Sequence, residues 1–135
     1  MRNKVVVMLF SYAVAAVSGA QAQDENSPEA QALVKQGEVA HLNHDSIGEY
    51  GDARRFDVSI AWNDAEGKRP ADHQSRIVRY VANCKEGTLT VVAVGVFDRD
   101  GGLVKRMMLP PGAVDPTKPE AGSPEARWLK DVCVN

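Results

Sequence analysis

Two stretches of the chain alternate strictly between apolar and polar positions, and each predicts an antiparallel strand with one buried and one wet face. These stretches are residues 54–62 and 76–84. Their apolar faces carry Phe56, Val58, Ile60 and Trp62 in the first strand and Val78, Tyr80, Ala82 and Cys84 in the second. We therefore place both segments in one antiparallel sheet, with these side chains facing the core.

Three further segments predict strands of the same sheet. Residues 39–44 alternate briefly and predict a short first strand. Residues 88–97 are rich in Val and apolar on both faces, which indicates a central strand of the sheet or a strand beneath a helix. Residues 103–109 predict a last strand that Lys105 and Arg106 interrupt. Turn-forming residues predict connections at 45–48, 50–52, 63–73, 85–87 and 98–102.

The C-terminal region predicts an irregular connection followed by one helix. Five of the seven prolines fall between Pro110 and Pro124, which favours an extended loop. Ser123 is a suitable N-cap and Pro124 a suitable first-turn residue for a helix of about ten residues. Its apolar stripe is Trp128, Leu129, Val132 and Cys133. The pattern as a whole indicates the α+β class: an antiparallel β-sheet of about five strands with a short C-terminal helix.

The N-terminal residues have the three parts of a secretory signal peptide. Arg2 and Lys4 precede a mostly apolar run at 5–17, and Ala20-Gln21-Ala22 supplies a small–x–small cleavage site. We therefore expect a signal peptide over residues 1–22. The alternatives are a buried helix or a membrane anchor, but a bilayer requires about 20 apolar residues and this run is shorter.

Residues 23–36 form a polar lead-in to the domain, which is expected to span residues 37–135. The lead-in is either a loose turn of helix, starting near Ser27, or disordered. No cysteine lies near the cleavage site, so we expect no lipid anchor. After cleavage we also expect no stable membrane span.

Length and composition fit one globular domain of 135 residues, 44% apolar and 25% charged. Removal of residues 1–22 leaves 113 residues and changes the formal net charge from −2 to −4. This charge argues against a nucleic-acid partner, because nucleic-acid-binding domains are usually strongly basic. Cys84 and Cys133 both lie in the exported part, where disulfides form. They indicate one disulfide, with two independent buried thiols as the alternative.

No catalytic or cofactor motif stands out in the sequence. His41 and His44 would point to opposite faces of a strand, and a third ligand such as His73 would have to converge with them, so we expect no metal site. Asp98 begins a segment like a calcium loop, but Leu109 stands where a bidentate acid is needed. A hairpin turn explains the same residues. We therefore expect a non-enzymatic protein without a cofactor.

Basic residues recur along the predicted strands and form a candidate binding face. They are Arg54, Arg55, Arg76, Arg79, Lys105 and Arg106. Arg76 and Arg79 are expected to lie in water between the core positions of their strand. Together the basic residues suit an anionic or extracellular-matrix partner. The alternative is that they are ordinary solvated side chains, which protect strand edges from aggregation.

Several segments resemble the surface-adhesin protein E family. They are His41-Leu42-Asn43-His44-Asp45-Ser46-Ile47, the strand from Phe56 to Trp62, and Tyr80-Val81-Ala82-Asn83-Cys84-Lys85. The C-terminal end is also similar, with a Pro110-Pro111-Gly112 step, a loop rich in Pro and Gly, Trp128 and then Cys133. The resemblance extends over about residues 38–135 and implies a sheet whose C-terminal helix is tethered to it by a disulfide between Cys84 and Cys133.

The resemblance also implies a function. We expect an exported, non-enzymatic binding protein of a Gram-negative bacterium, located in the periplasm or at the cell surface. Its expected partners are host matrix or serum proteins, and a homodimer is a further expectation. The alternative is a periplasmic envelope accessory protein with a structural role and no host ligand.

Overall fold

The computed structural model describes residues 27–134. Its strands are β1 (Glu38–Tyr50), β2 (Ala53–Trp62), β3 (Ser75–Asn83), β4 (Thr88–Phe97) and β5 (Leu103–Met108). A one-turn helix, α1 (Pro28–Gln31), precedes the strands, and α2 (Pro124–Cys133) follows them. The predicted signal peptide and the beginning of the polar lead-in lie outside the described residues.

The five strands form one antiparallel sheet in which each strand pairs with the next along the chain. β1 and β5 are the edges of this sheet, and β4 has a partner on both sides. Sequential antiparallel strands need only short connections, as the turn-forming segments predicted. The predicted α+β architecture, with about five strands and a C-terminal helix, is confirmed.

The hydrophobic core lies on one face of the sheet. Its largest fully buried side chains are Phe56, Val58, Ile60, Val78, Val94, Val96 and Val132. Tyr80 stacks on Phe56 at 5.3 Å between ring centroids and lies 5.8 Å from the Trp128 ring of α2. The strand residues of this core come from the face that the period-two pattern predicted for β2 and β3, because alternate side chains of a strand point to the same side.

β1 is longer than predicted and contains a bulge. Its pairing with β2 jumps from Asn43 to Gly48, so four residues of β1 lie opposite a single residue of β2. The Ser46 hydroxyl accepts the Asp57 N–H at 2.7 Å and donates to the Asn43 carbonyl at 2.5 Å. The turn predicted at 45–48 is therefore wrong. The strand continues because a side chain supplies the hydrogen bonds that the regular ladder lacks there.

The described part of the lead-in packs against the sheet. Ser27 accepts the Ala30 N–H at 3.2 Å and caps α1, so of the two alternatives for the lead-in the structure has the turn of helix over these residues. Ala32 follows α1 and is buried in the core, and α1 itself contacts β4. Residues 27–36 are thus part of the packed unit.

Cys84 and Cys133 form a disulfide, as predicted, with 5.6 Å between their Cα atoms. Cys84 directly follows β3, and Cys133 is the last residue of α2. The bond therefore joins the end of a central strand to the end of the helix that covers the core. Ser123 caps the other end of α2 by accepting the Ala126 N–H at 3.1 Å.

Candidate functional site

Both α-helices of the described chain pack on the core side, so the opposite side of the sheet is open. We call this open side the outer face. It is formed by the strand residues that alternate with the core positions. Its members include Arg55, Asp57, Ser59, Ile77, Arg79, Ala93, Gly95, Phe97, Leu103, Arg106 and Met108.

A shallow apolar groove runs along the outer face over β3, β4 and β5. Ile77, Leu103 and Met108 line it and are 38%, 49% and 69% exposed. Gly95 lies at the bottom of the groove and has no side chain to fill it. A Cβ at this position would lie only 3.2 Å from the Phe97 ring. A cluster of exposed large apolar side chains on one face is typical of an interaction surface.

The outer face also carries three guanidinium groups, of which those of Arg79 and Arg106 line the groove. Arg79 donates from Nε and Nη2 to the two carboxylate oxygens of Asp57 at 2.8 and 3.1 Å, so its charge is locally balanced. Arg55 and Arg106 form no ion pair with any residue in the range 27–134. The outer face therefore combines apolar surface with two guanidinium charges that a partner can use.

The predicted basic face is divided between the two sides of the sheet. The outer face holds Arg55, Arg79 and Arg106. Arg54 pairs across the sheet with Ala82, and Lys105 pairs with Val96. Because Ala82 and Val96 are core residues, Arg54 and Lys105 project to the core side at the margins of the sheet. A binding role for the outer-face arginines stays a prediction.

The expectation that Arg76 lies in water is wrong. The residue is 2% exposed. Its Nη1 and Nη2 donate to the Glu38 carboxylate at 2.8 and 2.6 Å. Its remaining hydrogen bonds go to the backbone carbonyls of Gln31, Leu33 and Gln74. Arg76 thus joins the α1 segment to β1 and β3 in the interior, and it is not part of any binding face.

The Glu38 carboxylate is the centre of this buried polar cluster. Burial on its own raises the pKa of Glu38. The hydrogen bonds from Arg76, the Lys35 N–H and His73, together with the charge of Arg76, outweigh burial and lower the pKa to about 2. Glu38 is therefore ionised at neutral pH and pairs with Arg76.

His73 and Trp62 hold the loop between β2 and β3 in place. His73 Nε2 lies 2.8 Å from Glu38, and its Nδ1 accepts the Arg69 Nε–H at 3.2 Å. The Trp62 ring meets the His73 ring edge-on at 5.5 Å, and its Nε1–H donates to the Gly67 carbonyl. His73 is thus used in packing and hydrogen bonding within the loop.

The histidines and the Asp98 turn are residues of the sequence with the ligand types of a metal site. Within residues 27–134, no three His, Cys, Asp or Glu side chains are placed to hold a metal ion. His41 pairs with Ser59 on the outer face, whereas His44 lies in the bulge of β1. Asp98 accepts the N–H groups of Asp100 and Gly102 at 3.0 and 2.8 Å, which forms the predicted hairpin turn.

The Glu38–Arg76 pair could have been predicted from the alternation of strand positions, although charged residue types by themselves favour solvent. Arg76 shares its strand face with Val78, and Glu38 shares its face with Ala40, so alternation places both on the core side. Opposite charges at two core-side positions indicate a buried pair, because a lone buried charge is very unfavourable.

These features define a small α+β domain with one sheet face covered by a disulfide-tethered helix and the other face open. The family model for surface-adhesin protein E matches residues 29–134. The chain therefore belongs to the surface-adhesin protein E family, and this membership supports an adhesin-like surface protein. No curated protein matches the chain, and no solved structure matches it. No helix between residues 27 and 134 has the length and apolar character needed to cross a bilayer.

Proposed function

We propose that this protein is an exported, non-enzymatic adhesin whose outer face binds an extracellular protein of the host matrix or serum. The observation that carries the proposal is the contrast between the two sheet faces. The two α-helices cover one face, whereas the other exposes Ile77, Leu103 and Met108 beside the guanidinium of Arg106, which forms no ion pair with another described residue. Membership of the surface-adhesin protein E family also supports an adhesin-like role at the cell surface.

The chemistry of the outer face suits a partner segment that carries carboxylates among apolar residues. Met108 and Leu103 offer apolar contact in the groove, and Arg106 supplies a charge beside it. Arginine forms bidentate hydrogen bonds with carboxylates, which adds specificity to the apolar contact. Arg79 should contribute less to binding of the partner than Arg106, because Arg79 already forms an ion pair with Asp57.

Binding to surfaces coated with basement-membrane extract or serum tests the proposal. We expect saturable binding by the oxidised chain lacking residues 1–22. Met108→Asp and Arg106→Glu should each weaken it by about tenfold or more, as expected for central interface residues. Val34→Asp and Lys68→Glu are matched controls on exposed residues away from the outer face, and they should bind as the unmodified chain does. Absence of saturable binding contradicts the adhesin proposal.

The location of the protein separates the adhesin proposal from the structural alternative. A surface adhesin is degraded when intact cells are treated with protease, and antibodies reach it on unpermeabilised cells. A periplasmic envelope accessory protein survives that treatment and is released by osmotic shock. Protection in intact cells, together with no binding to host material, would favour the accessory role.

A further inference from the structure

A second recess lies on the core side of the sheet, away from the outer face. It is a cleft of about 360 Å³ between the α1 segment and the C-terminal loop. The loop forms a fixed wall, because Thr117 and Leu89 exchange backbone hydrogen bonds at 2.8 and 2.9 Å. A cleft of this size, with walls held in place, is within the range of small-ligand sites.

The floor of the cleft is apolar. Leu89 and Val91 of β4 contribute to it, and Ala32 and Leu33 contribute from the segment after α1. Leu33 is 55% exposed at the rim, so apolar surface continues from the floor to the opening. An apolar group of a ligand would be removed from water here, which is favourable at roughly 25 cal/mol per Å².

One polar side chain in the cleft is almost completely buried and has no partner. Tyr80 is 6% exposed and lines the cleft. Its ring packs against Phe56 and Trp128, but its hydroxyl forms no hydrogen bond with any residue from 27 to 134. The hydroxyl oxygen keeps access to solvent through the cleft, so it is free to form a hydrogen bond with a ligand that enters there.

Carboxylates surround the apolar floor. They are Glu29, Asp115, Glu120 and Glu125. None of them forms an ion pair with another described residue, and no Lys, Arg or His lines the cleft. Burial and, secondarily, the negative charge of Glu125 raise the pKa of Tyr80, so the hydroxyl stays protonated beside these carboxylates.

We propose that this cleft binds a cationic nitrogen carried on an apolar group. The apolar part would lie on Leu89 and Val91, and the cation would lie between Glu125 and the other carboxylates of the rim. The Tyr80 hydroxyl would complete the site as a hydrogen-bonding group. Such a ligand is either a small aromatic amine or a peptide with a Lys or Arg next to apolar residues. The proposal does not depend on binding at the outer face.

Titration followed by amide NMR tests this site on the oxidised chain lacking residues 1–22. The probes are phenethylamine, its neutral analogue 2-phenylethanol, the anion 3-phenylpropionate and the blocked peptide acetyl-Leu-Lys-Leu-amide. We expect phenethylamine or the peptide to shift the signals of Ala32, Leu89 and Thr117. The neutral analogue should bind at least about tenfold more weakly and the anion not detectably. Tighter binding of the peptide identifies a protein segment as the source, and tighter binding of the amine identifies a small molecule.

Two variants test the named groups. Tyr80→Phe keeps both ring contacts and removes only the hydroxyl, which forms no hydrogen bond with another described residue, so the variant should remain folded. Glu125→Gln removes one carboxylate charge. Each should weaken phenethylamine binding by about threefold to tenfold, whereas the exposed control Glu66→Gln should not. Equal binding of phenethylamine and 2-phenylethanol, shifts confined to the outer face, unchanged binding by both variants, or no binding of either cationic probe overturns the proposal.

Discussion

Arg76 and Glu38 show how a charged pair can be a core element of a small sheet. Each side chain is 2% exposed, and their shortest contact is 2.6 Å. Arg76 also donates to the carbonyls of Gln31, the last residue of α1, and of Leu33, so it links this segment to the sheet. Removing one member of a buried pair leaves the other charged and desolvated, which is more harmful than losing an exposed pair.

Glu38→Gln is expected to lower the free energy of unfolding at pH 7 by about 3–5 kcal/mol, since Arg76 then lacks its charged partner. Urea denaturation measures this change. The exposed carboxylate Glu86 in the turn after β3 provides the control, and Glu86→Gln should change stability by less than about 0.5 kcal/mol. Equal stabilities for the two variants would show that the Glu38–Arg76 pair contributes little.

The lowered pKa of Glu38 gives the pair a defined pH dependence. In the unfolded chain Glu38 takes up a proton near its ordinary pKa of 4.5, whereas in the folded chain it does so only near about 2. The unfolded state therefore binds more protons in this window, and the stabilisation by Glu38 is present above pH 4.5 and lost as the pH falls toward 2. The stability difference between the unmodified chain and Glu38→Gln should shrink over that window. A stability difference that stays constant from pH 4.5 to about 2 would contradict the lowered pKa of Glu38.

At the scale of the elements, β2 and β3 were predictable because their alternation continues for a whole strand and one face is uniformly buried. β1 was only partly predictable. Its second half depends on Ser46, a side chain that hydrogen-bonds a backbone group of the neighbouring strand. Such a contact depends on which strand is the neighbour, and the hydrophobic pattern of one segment does not show its neighbour. The open groove and the cleft escaped prediction for the same reason, since each combines side chains from distant segments.

Ser46→Ala tests whether the bulge depends on this hydroxyl. The Asp57 N–H would lose its acceptor, and we expect a loss of about 1–3 kcal/mol in unfolding free energy. Hydrogen exchange of the Asp57 amide should also become faster. Thr90→Ala removes a hydroxyl from a partly exposed position of β4 and serves as the control. Unchanged exchange at Asp57 in Ser46→Ala would mean that the backbone holds the bulge without the side chain.

At the scale of the whole molecule, α2 covers the core face of the sheet and the disulfide ties α2 to the end of β3. α2 is ten residues long, and a helix of that length is marginal in water without tertiary contacts. It is held by Trp128 and Val132 in the core and by the bond from Cys133 to Cys84. The disulfide could be predicted because two cysteines permit only one intramolecular pairing. The covered and open faces follow from where this helix docks.

Replacing both cysteines by serine should therefore destabilise the chain by about 4 kcal/mol, the chain-entropy value for a loop of this size, since the two residues are 49 positions apart. Because domains of this size are stable by only about 5–15 kcal/mol, α2 should undock early during urea unfolding. Fluorescence should report this, since Trp128 leaves the core while Trp62 stays beside His73. Reductant should lower the stability of the unmodified chain to that of the double variant and leave the variant unchanged. If reductant has no effect on the unmodified chain, contacts of Trp128 and Val132 alone hold the helix on the sheet.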